Sequence, residues 1–354
     1  MNLTMVDKIA KAVLYEGYML YPYRPSSVKN QQRWNFGVLC PPSYSEAQKG
    51  TEAGTMQTEC LVEGNSQTTL EIRVRFLQLV ERSIGELRLP VSALPPGEVP
   101  EFRPVTRLAV ADRIYQTWQE AVEREVILSG YGVETLGRRL IPDVFNFPAE
   151  KQFEYVRESG GQISAVIVRE RRAISGAVEV MGEKVEDGVF RISIRILNTT
   201  SFEATAQTSR EDALLSSLVS THTVLGVQDG RFISLFAPPE RLSELVASCK
   251  NLGTWPVLVG EEGQLDTMLS SPIILYDYPR IAPESAGDLF DGTEIDEILS
   301  LRIMTLTDEE KREMSQSDER AREMLERTET MPVEQWMKLH GVLRGLRPLK
   351  EEMR

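Results

Sequence analysis

The chain has 354 residues, 41% of them apolar and 26% charged, enough to bury a substantial core and to fill two domains or one large domain with an appendage. A net charge of −13 and a pI near 4.9 argue against a general binder of nucleic acid or anionic membrane, because such surfaces need clustered Lys and Arg. No run of about 18 apolar residues exists, so no membrane span is expected; the apolar stretch in MNLTMVDKIAKAVLYEGYML is too short for a signal peptide, which points to the cytoplasm.

The first distinctive segment is YEGYMLYPYRPSSVKNQQRWNFG. Tyr15, Tyr18, Tyr21, Tyr23, Trp34 and Phe36 interleave there with Arg24, Lys29 and Arg33. Tyr, Trp and Arg are favoured as interface anchors, so the segment is a candidate contact surface. The alternative is an N-terminal strip that lies across a β core and buries its rings.

Strand signals follow. In TLEIRVRF, Leu70, Ile72, Val74 and Phe76 alternate with Glu71, Arg73 and Arg75; FRISIRIL repeats the design with Phe190, Ile192, Ile194 and Ile196. Strict period-2 alternation of this kind marks a half-buried antiparallel strand. Each is preceded by another strand candidate and a polar turn, TECLVEGNSQT before the first and ISGAVEVMGEKVEDG before the second, which predicts two hairpins. RWNFGVLC, AVEREVILSG, ISAVIVRE, HTVLGVQ, RFISLF, WPVLVG and PIILYDY complete the set. Short spacings with turn signals favour sandwich-like antiparallel sheets over repeated βαβ units. Between the two groups, LPVSALPPGEVPEFRP (89–104) is too rich in proline for regular structure through most of its length. A soft boundary falls either there or near 148; the second choice gives a β-rich 1–148, a second β-rich 149–292 and a helical 293–354.

The polar chemistry is sparse. Cys40, Cys60 and Cys249 are odd in number and far apart, which builds neither a disulfide framework nor a metal site, so they read as reduced thiols. Cys249 shares a helical stripe with Leu242, Leu245 and Val246 in PERLSELVASCK, which predicts a buried structural thiol. Only two histidines exist: His222, on one strand face with Ser220 and Val224, reads as a hydrogen-bonded structural residue, and His340 as a surface residue near a helix end. GxxxxGK[ST], GxGxxG in a strand-to-helix context and GxSxG are all missing, so no nucleotide cofactor or α/β-hydrolase site is expected. Paired carboxylates of a glycosidase type leave no local signature and stay open.

The strongest charge anomaly lies at 261–300. Ten acids face one base, Arg280, as strand-like SSPIILYDYP runs into IAPESAGDLFDGTEIDEIL. Asp288, Asp291 and Glu294 do not fall at the alternating positions of a calcium-binding loop, so the segment reads as a solvated recognition surface with no dedicated metal site. Helical periodicity begins near 293. Thr293 with Asp296 and Thr307 with Glu310 resemble capping boxes, and Ile295, Ile298, Leu299 and Ile303 form an apolar stripe. DEEKREMSQSDERAREMLERTE then reads as one helix with only Met314, Ala321, Met324 and Leu325 to bury, hence thinly docked; a last short helix begins at Pro332.

Three strings, VLYEGYMLYPYRPSSVKNQQRWNFGVL (13–39), NLGTWPVLVG (251–260) and SSPIILYDYPRIAPESAGDLFDGTEIDEILSLRIMTLTDEEKREM (270–314), resemble an uncharacterised bacterial family encoded beside high-affinity, oxygen-tolerant nickel-iron uptake hydrogenases. The resemblance implies a role in assembly, maturation or support of a hydrogenase and assigns no catalytic residue. Unlike familiar maturation factors, the chain has no CxxC pair, nucleotide loop or His-rich tract, so direct nickel insertion is not expected.

The expectation is therefore an α+β protein: a β-rich body of sandwich-like antiparallel sheets with an α-helical C-terminal appendage. It would act as a non-catalytic accessory, scaffold or chaperone, with a protein partner, hydrogenase subunits among the candidates, and no cofactor. Tyr18, Tyr21, Tyr23, Arg24, Trp34, Tyr276, Tyr278, Asp288, Asp291 and Glu294 are the candidate partner-binding residues. The alternative is a hydrolase with a carboxylate site in a β-sandwich cleft, which would need a deep pocket with convergent acids.

Overall fold

The computed structural model describes residues 3–16, 35–95, 97–111, 113–137, 141–280, 303–317 and 319–332. The fold is α+β and dominated by one antiparallel sheet of eleven strands. In chain order the strands are β1 (Thr55–Val91), β2 (Phe102–Val105), β3 (Arg107–Val110), β4 (Arg113–Gln116), β5 (Trp118–Gly132), β6 (Ile141–Phe147) and β7 (Glu150–Arg157). They continue with β8 (Ile163–Arg171), β9 (Ile174–Glu186), β10 (Val189–Asn198), β11 (Val219–Phe232), β12 (Trp255–Leu258) and β13 (Thr267–Ser271). β3 and β4 form a separate hairpin. The helices are α1 (Leu3–Glu16), α2 (Pro42–Ala47), α3 (Arg210–Leu214), α4 (Ser243–Ala247), α5 (Asp308–Ser317) and α6 (Glu319–Thr330). None of them is long and apolar enough to cross a membrane.

β1 organises the molecule. Its 37 residues would span about 120 Å if straight, at roughly 3.3 Å per residue. Instead the strand exchanges partners as it bends. One edge takes β11 along 62–77 and then β8 along 81–91, while the other takes β10 along 55–63, β5 along 69–82 and β2 along 84–87. Register shifts between Gly64 and Thr69, Arg75 and Leu77, and Glu86 and Val91 mark irregularities along its course.

The bend brings two parts of the same sheet face to face. Met56, Cys60 and Val62 with β10 and β9 enclose one side of a core whose other side is Leu70, Ile72, Val74 and Phe76 with β11. The alternating residues read from TLEIRVRF and FRISIRIL are the ones that fill it, all 3% exposed or less. Each such side chain stabilises the fold by roughly 1.5–3 kcal/mol relative to exposure. Phe76, Phe145 and Phe147 close the far end with ring centroids 5.8–6.0 Å apart. This is the sandwich-like body, built from a folded sheet.

One of the two expected hairpins does not form. β9 and β10 are joined through the Glu186–Val189 turn as the sequence suggests, but TECLVEGNSQT and TLEIRVRF are consecutive stretches of β1. The turn chemistry at 64–68 is real: Asn65 Oδ1 accepts from Gln67 N at 2.8 Å, and Thr68 Oγ1 accepts from Asn65 N and donates to Asp229 O. It makes a bulge without reversing the chain, because Gly64 and Thr69 pair with the same strand, β11, whose Asp229 at φ +53° bulges opposite.

The pairing also runs across residue 148. β6 pairs with β9, and β8 and β10 both pair with β1, so 1–148 and 149–292 share one sheet. The proline-rich segment lies between the end of β1 and β2, with 92–95 and 97–101 outside any strand.

α1 carries Val6, Ile9, Ala10 and Leu14 at helical spacing, and the first three bury against Val224, Val257 and Leu269 on the outer face of β11, β12 and β13. Asp7 binds Arg75 Nη2 at 2.7 Å, Arg75 binds Glu125 at 2.6 Å, and Arg73 binds Glu71 at 2.7 Å, a charge ladder from helix to sheet.

At the C-terminal end the expected single helix is two. Lys311 Nζ lies 3.0 Å from Glu329 Oε1, a contact that a continuous helix would spread over about 27 Å at 1.5 Å per residue. α5 and α6 therefore fold back on one another, with α5 on β4. Met314 and Leu325, two of the four apolar residues the sequence offered, are buried where this hairpin docks; the side chains of Ala321 and Met324 are outside the described ones. The Thr307 capping box is present: Thr307 N donates to Glu310 Oε2 at 2.7 Å and Glu310 N to Thr307 Oγ1 at 3.3 Å. Ile303 is buried as expected; the Thr293 cap, Ile295, Ile298, Leu299, His340 and the last helix from Val333 onward lie outside the described residues.

Candidate protein-binding surface

PIILYDY is not a strand. β13 ends at Ser271, and 272–280 is an irregular segment that runs beside β12. Pro272 has no N–H for a ladder, which is the physical reason for the stop. Among its described residues, RWNFGVLC likewise contributes a Leu39–Leu218 bridge and no longer strand, with Gly37 at φ +55° pressed on the Pro272 ring. RFISLF leaves the sheet after Phe232.

The irregular segment is nonetheless fixed. Leu258 N donates to Asp277 Oδ1 at 2.8 Å and Tyr278 N to Leu258 O at 2.7 Å, so Asp277 sits where a paired strand would supply carbonyls. Ser234 Oγ donates to Asp277 Oδ2 and accepts from Phe236 N at 3.1 Å and Ala237 N at 2.8 Å. One serine thus ties the loop after β11 to the segment after β13.

Two exposed rings stand on either side of that tie. Phe236 and Tyr276 meet edge to face, with centroids 5.4 Å apart and planes at 85°. Tyr276 is 71% exposed, Phe236 67% and Ile274 70%. Exposed large apolar groups held in fixed positions together mark interaction sites more often than single ones. Tyr278, named with Tyr276 from sequence, faces inward: its hydroxyl donates to Gln264 O at 3.1 Å and its ring packs on the central core. Phe236 was not among the sequence candidates, and the break of alternation in ISLFAPPE was its only signal.

The sequence segment that carries Tyr276 is acidic. Within 261–280, Glu261, Glu262, Asp266 and Asp277 stand against Arg280, and the following twenty residues add six acids and no base. Asp288, Asp291 and Glu294 belong to that stretch and lie outside the described residues, as do Tyr18, Tyr21, Tyr23, Arg24 and Trp34. Phe36 is described and is 43% exposed.

Elsewhere the groups capable of chemistry are dispersed. Among the described residues no three His, Cys, Asp or Glu side chains group in a metal-binding arrangement. His222 is fully buried on β11, with Nδ1 3.1 Å from Ser220 O and Nε2 unpartnered. Burial pushes its pKa down to about 4, and the neighbouring Arg75 adds to the shift against the opposing Ser220 bond. It is structural, as expected, though half-satisfied. All three cysteines are free. Cys40 and Cys60 are buried, whereas Cys249 is only half-buried because its stripe lies at the end of α4, with Sγ 3.6 Å from Leu245 O. A surface cavity of about 230 Å³ opens where Gly130 and Gly226 leave a dent between β5, β1 and β11. Its one acid, Glu71, is paired to Arg73, so the cavity brings no two carboxylates together.

No protein-family model matches this chain, and no curated protein matches it. Among solved structures it is similar to the InvG secretin domain β-barrel of the Salmonella SPI-1 injectisome at 10% identity, over 64% of this chain and 61% of that one, with a TM-score of 0.13. The open-gate form of the same Salmonella type III secretion secretin gives 8% identity over 64% and 60% of the two chains, with a TM-score of 0.10. At such scores these likenesses carry no argument about fold or function.

Proposed function

We propose that this chain is a non-catalytic, cytoplasmic accessory protein, a scaffold or chaperone that supports assembly or maturation of a nickel-iron uptake hydrogenase complex. The observation that carries the protein-binding part of this reading is the braced, solvent-exposed Phe236–Tyr276 pair beside Ile274, adjoining the most acidic stretch of the chain. Aromatic anchors supply contact area at small entropic cost, and a field of one sign speeds encounter with an oppositely charged partner. The hydrogenase part rests on the resemblance of 13–39, 251–260 and 270–314. The test is affinity capture of the tagged full chain from native cells expressing the hydrogenase. Its subunits are expected to be enriched over a tag-only control, and their consistent absence would overturn the reading.

A further inference from the structure

The right-angled Phe236–Tyr276 pair does more than offer apolar area. We propose that it forms two walls of a corner that receives a cationic side chain, Arg or Lys, from an extended segment of the partner protein, with Ile274 taking an adjacent aliphatic group. This deepens the function proposed above and rests on it only in taking the partner to be a protein.

Three observations point to a cation. First, rings with planes at 85° and centroids 5.4 Å apart present faces at right angles, so a guanidinium or ammonium in the corner lies within about 6 Å of both centroids. Second, the backbone that carries both rings is tied in place before any partner arrives. Ser234 holds Phe236 through its backbone N–H and holds the Tyr276 segment through Asp277, which is itself anchored to Leu258 N. Preorganisation of this kind removes the ordering cost that ordinarily weakens binding through exposed rings. Third, the charge of the sequence segment that carries Tyr276 favours a cation over a neutral apolar group. Asp277 adjoins Tyr276 in sequence, Glu261 and Glu262 lie on the same stretch, and six acids follow Arg280 without a base. Arg280 does not fill the role itself, since its guanidinium is 3.9 Å from Glu262 Oε2.

The probe is a fluorescein-labelled decapeptide of Gly, Ser and Leu with two Arg, compared with a twin carrying citrulline, the uncharged isostere, at both positions. Anisotropy titration of the full chain should show the Arg peptide bound roughly tenfold tighter or more, as a partly desolvated cation–π contact allows. The Phe236→Ala/Tyr276→Ala variant should lose most of that preference. Phe236→Leu/Tyr276→Leu keeps apolar area without a ring face and should lose it equally, which guards against a folding defect in the alanine variant. Equal binding of the two peptides, or a preference that survives in the leucine variant, overturns the proposal. The two readings fail separately: hydrogenase subunits captured unchanged by the leucine variant would sink the corner and leave the scaffold, while Arg-selective, ring-dependent binding without hydrogenase capture would do the reverse.

Discussion

The Tyr131 hydroxyl donates to the Asp143 carboxylate, joining β5 to β6 where no backbone hydrogen bonds do. The two strands approach along a seam closed by side chains. Arg124 lies 4.7 Å from the Phe147 ring centroid along the same seam, and Phe145 and Phe147 pack on Phe76 behind it. Burial raises the Tyr131 pKa to about 12, and the Asp143 bond adds to the shift.

Loss of this seam bond is expected to cost about 1 kcal/mol in Tyr131→Phe, near the lower end for a bond to a charged acceptor because the pair is only partly buried. Urea denaturation of Tyr131→Phe, Asp143→Asn and the double variant should give a coupling energy of that size; additive losses would mean the bond contributes nothing. The raised pKa sets the alkaline behaviour. The contribution is full below the unfolded tyrosine pKa near 10 and is lost as pH rises toward about 12.

His222 should make the protein acid-sensitive above the carboxylate range. Its folded pKa of about 4 lies below the ordinary 6.5, so the unfolded chain binds the extra proton first and stability falls as pH drops from about 6.5 to about 4. The span corresponds to roughly 3 kcal/mol. His222→Leu removes this slope, and the difference between the wild-type and variant stability profiles isolates it. Parallel profiles would show that His222 is not held neutral.

Gly176 lies opposite Phe145 in the β6–β9 pair, and a Cβ built there meets the Phe145 ring directly. Gly176→Ala should therefore destabilise by about 1–3 kcal/mol, as overpacking does. Adding Phe145→Leu should recover part of the loss in thermal melts, whereas a glycine required only for backbone freedom would show no rescue.

The Thr307–Glu310 box should act locally. Thr307→Ala is expected to cost about 0.5–2 kcal/mol of α5 stability. Hydrogen exchange should quicken in α5 and α6, which Lys311–Glu329 joins, and stay unchanged in β1 and β10. A uniform rise across the sheet would mean that the helical hairpin and the sheet unfold as one unit.

Much of this molecule was legible from its residues. Alternation at 70–76 and 190–196 identified faces that are buried, because a side chain's face on a strand follows from its position alone. The Thr307 box was legible for the same reason, since both partners lie within one turn. The candidate surface was half legible: charge marked the region and Tyr276, but Phe236 joins through Ser234 and Asp277, 43 residues apart.

Tertiary structure decided the rest. Asn65 and Thr68 fixed a local deviation at 64–68, yet whether the chain turns back or continues depends on which strands take the flanking edges, and β10, β11 and β5 do so from distant positions. The break between α5 and α6, the β5–β6 seam and the half-satisfied state of His222 have the same origin. The sequence by itself determined composition, faces and caps, which are properties of neighbours along the chain; pairing, folding-back and the right-angled ring corner were settled by contacts between residues that only packing brings together.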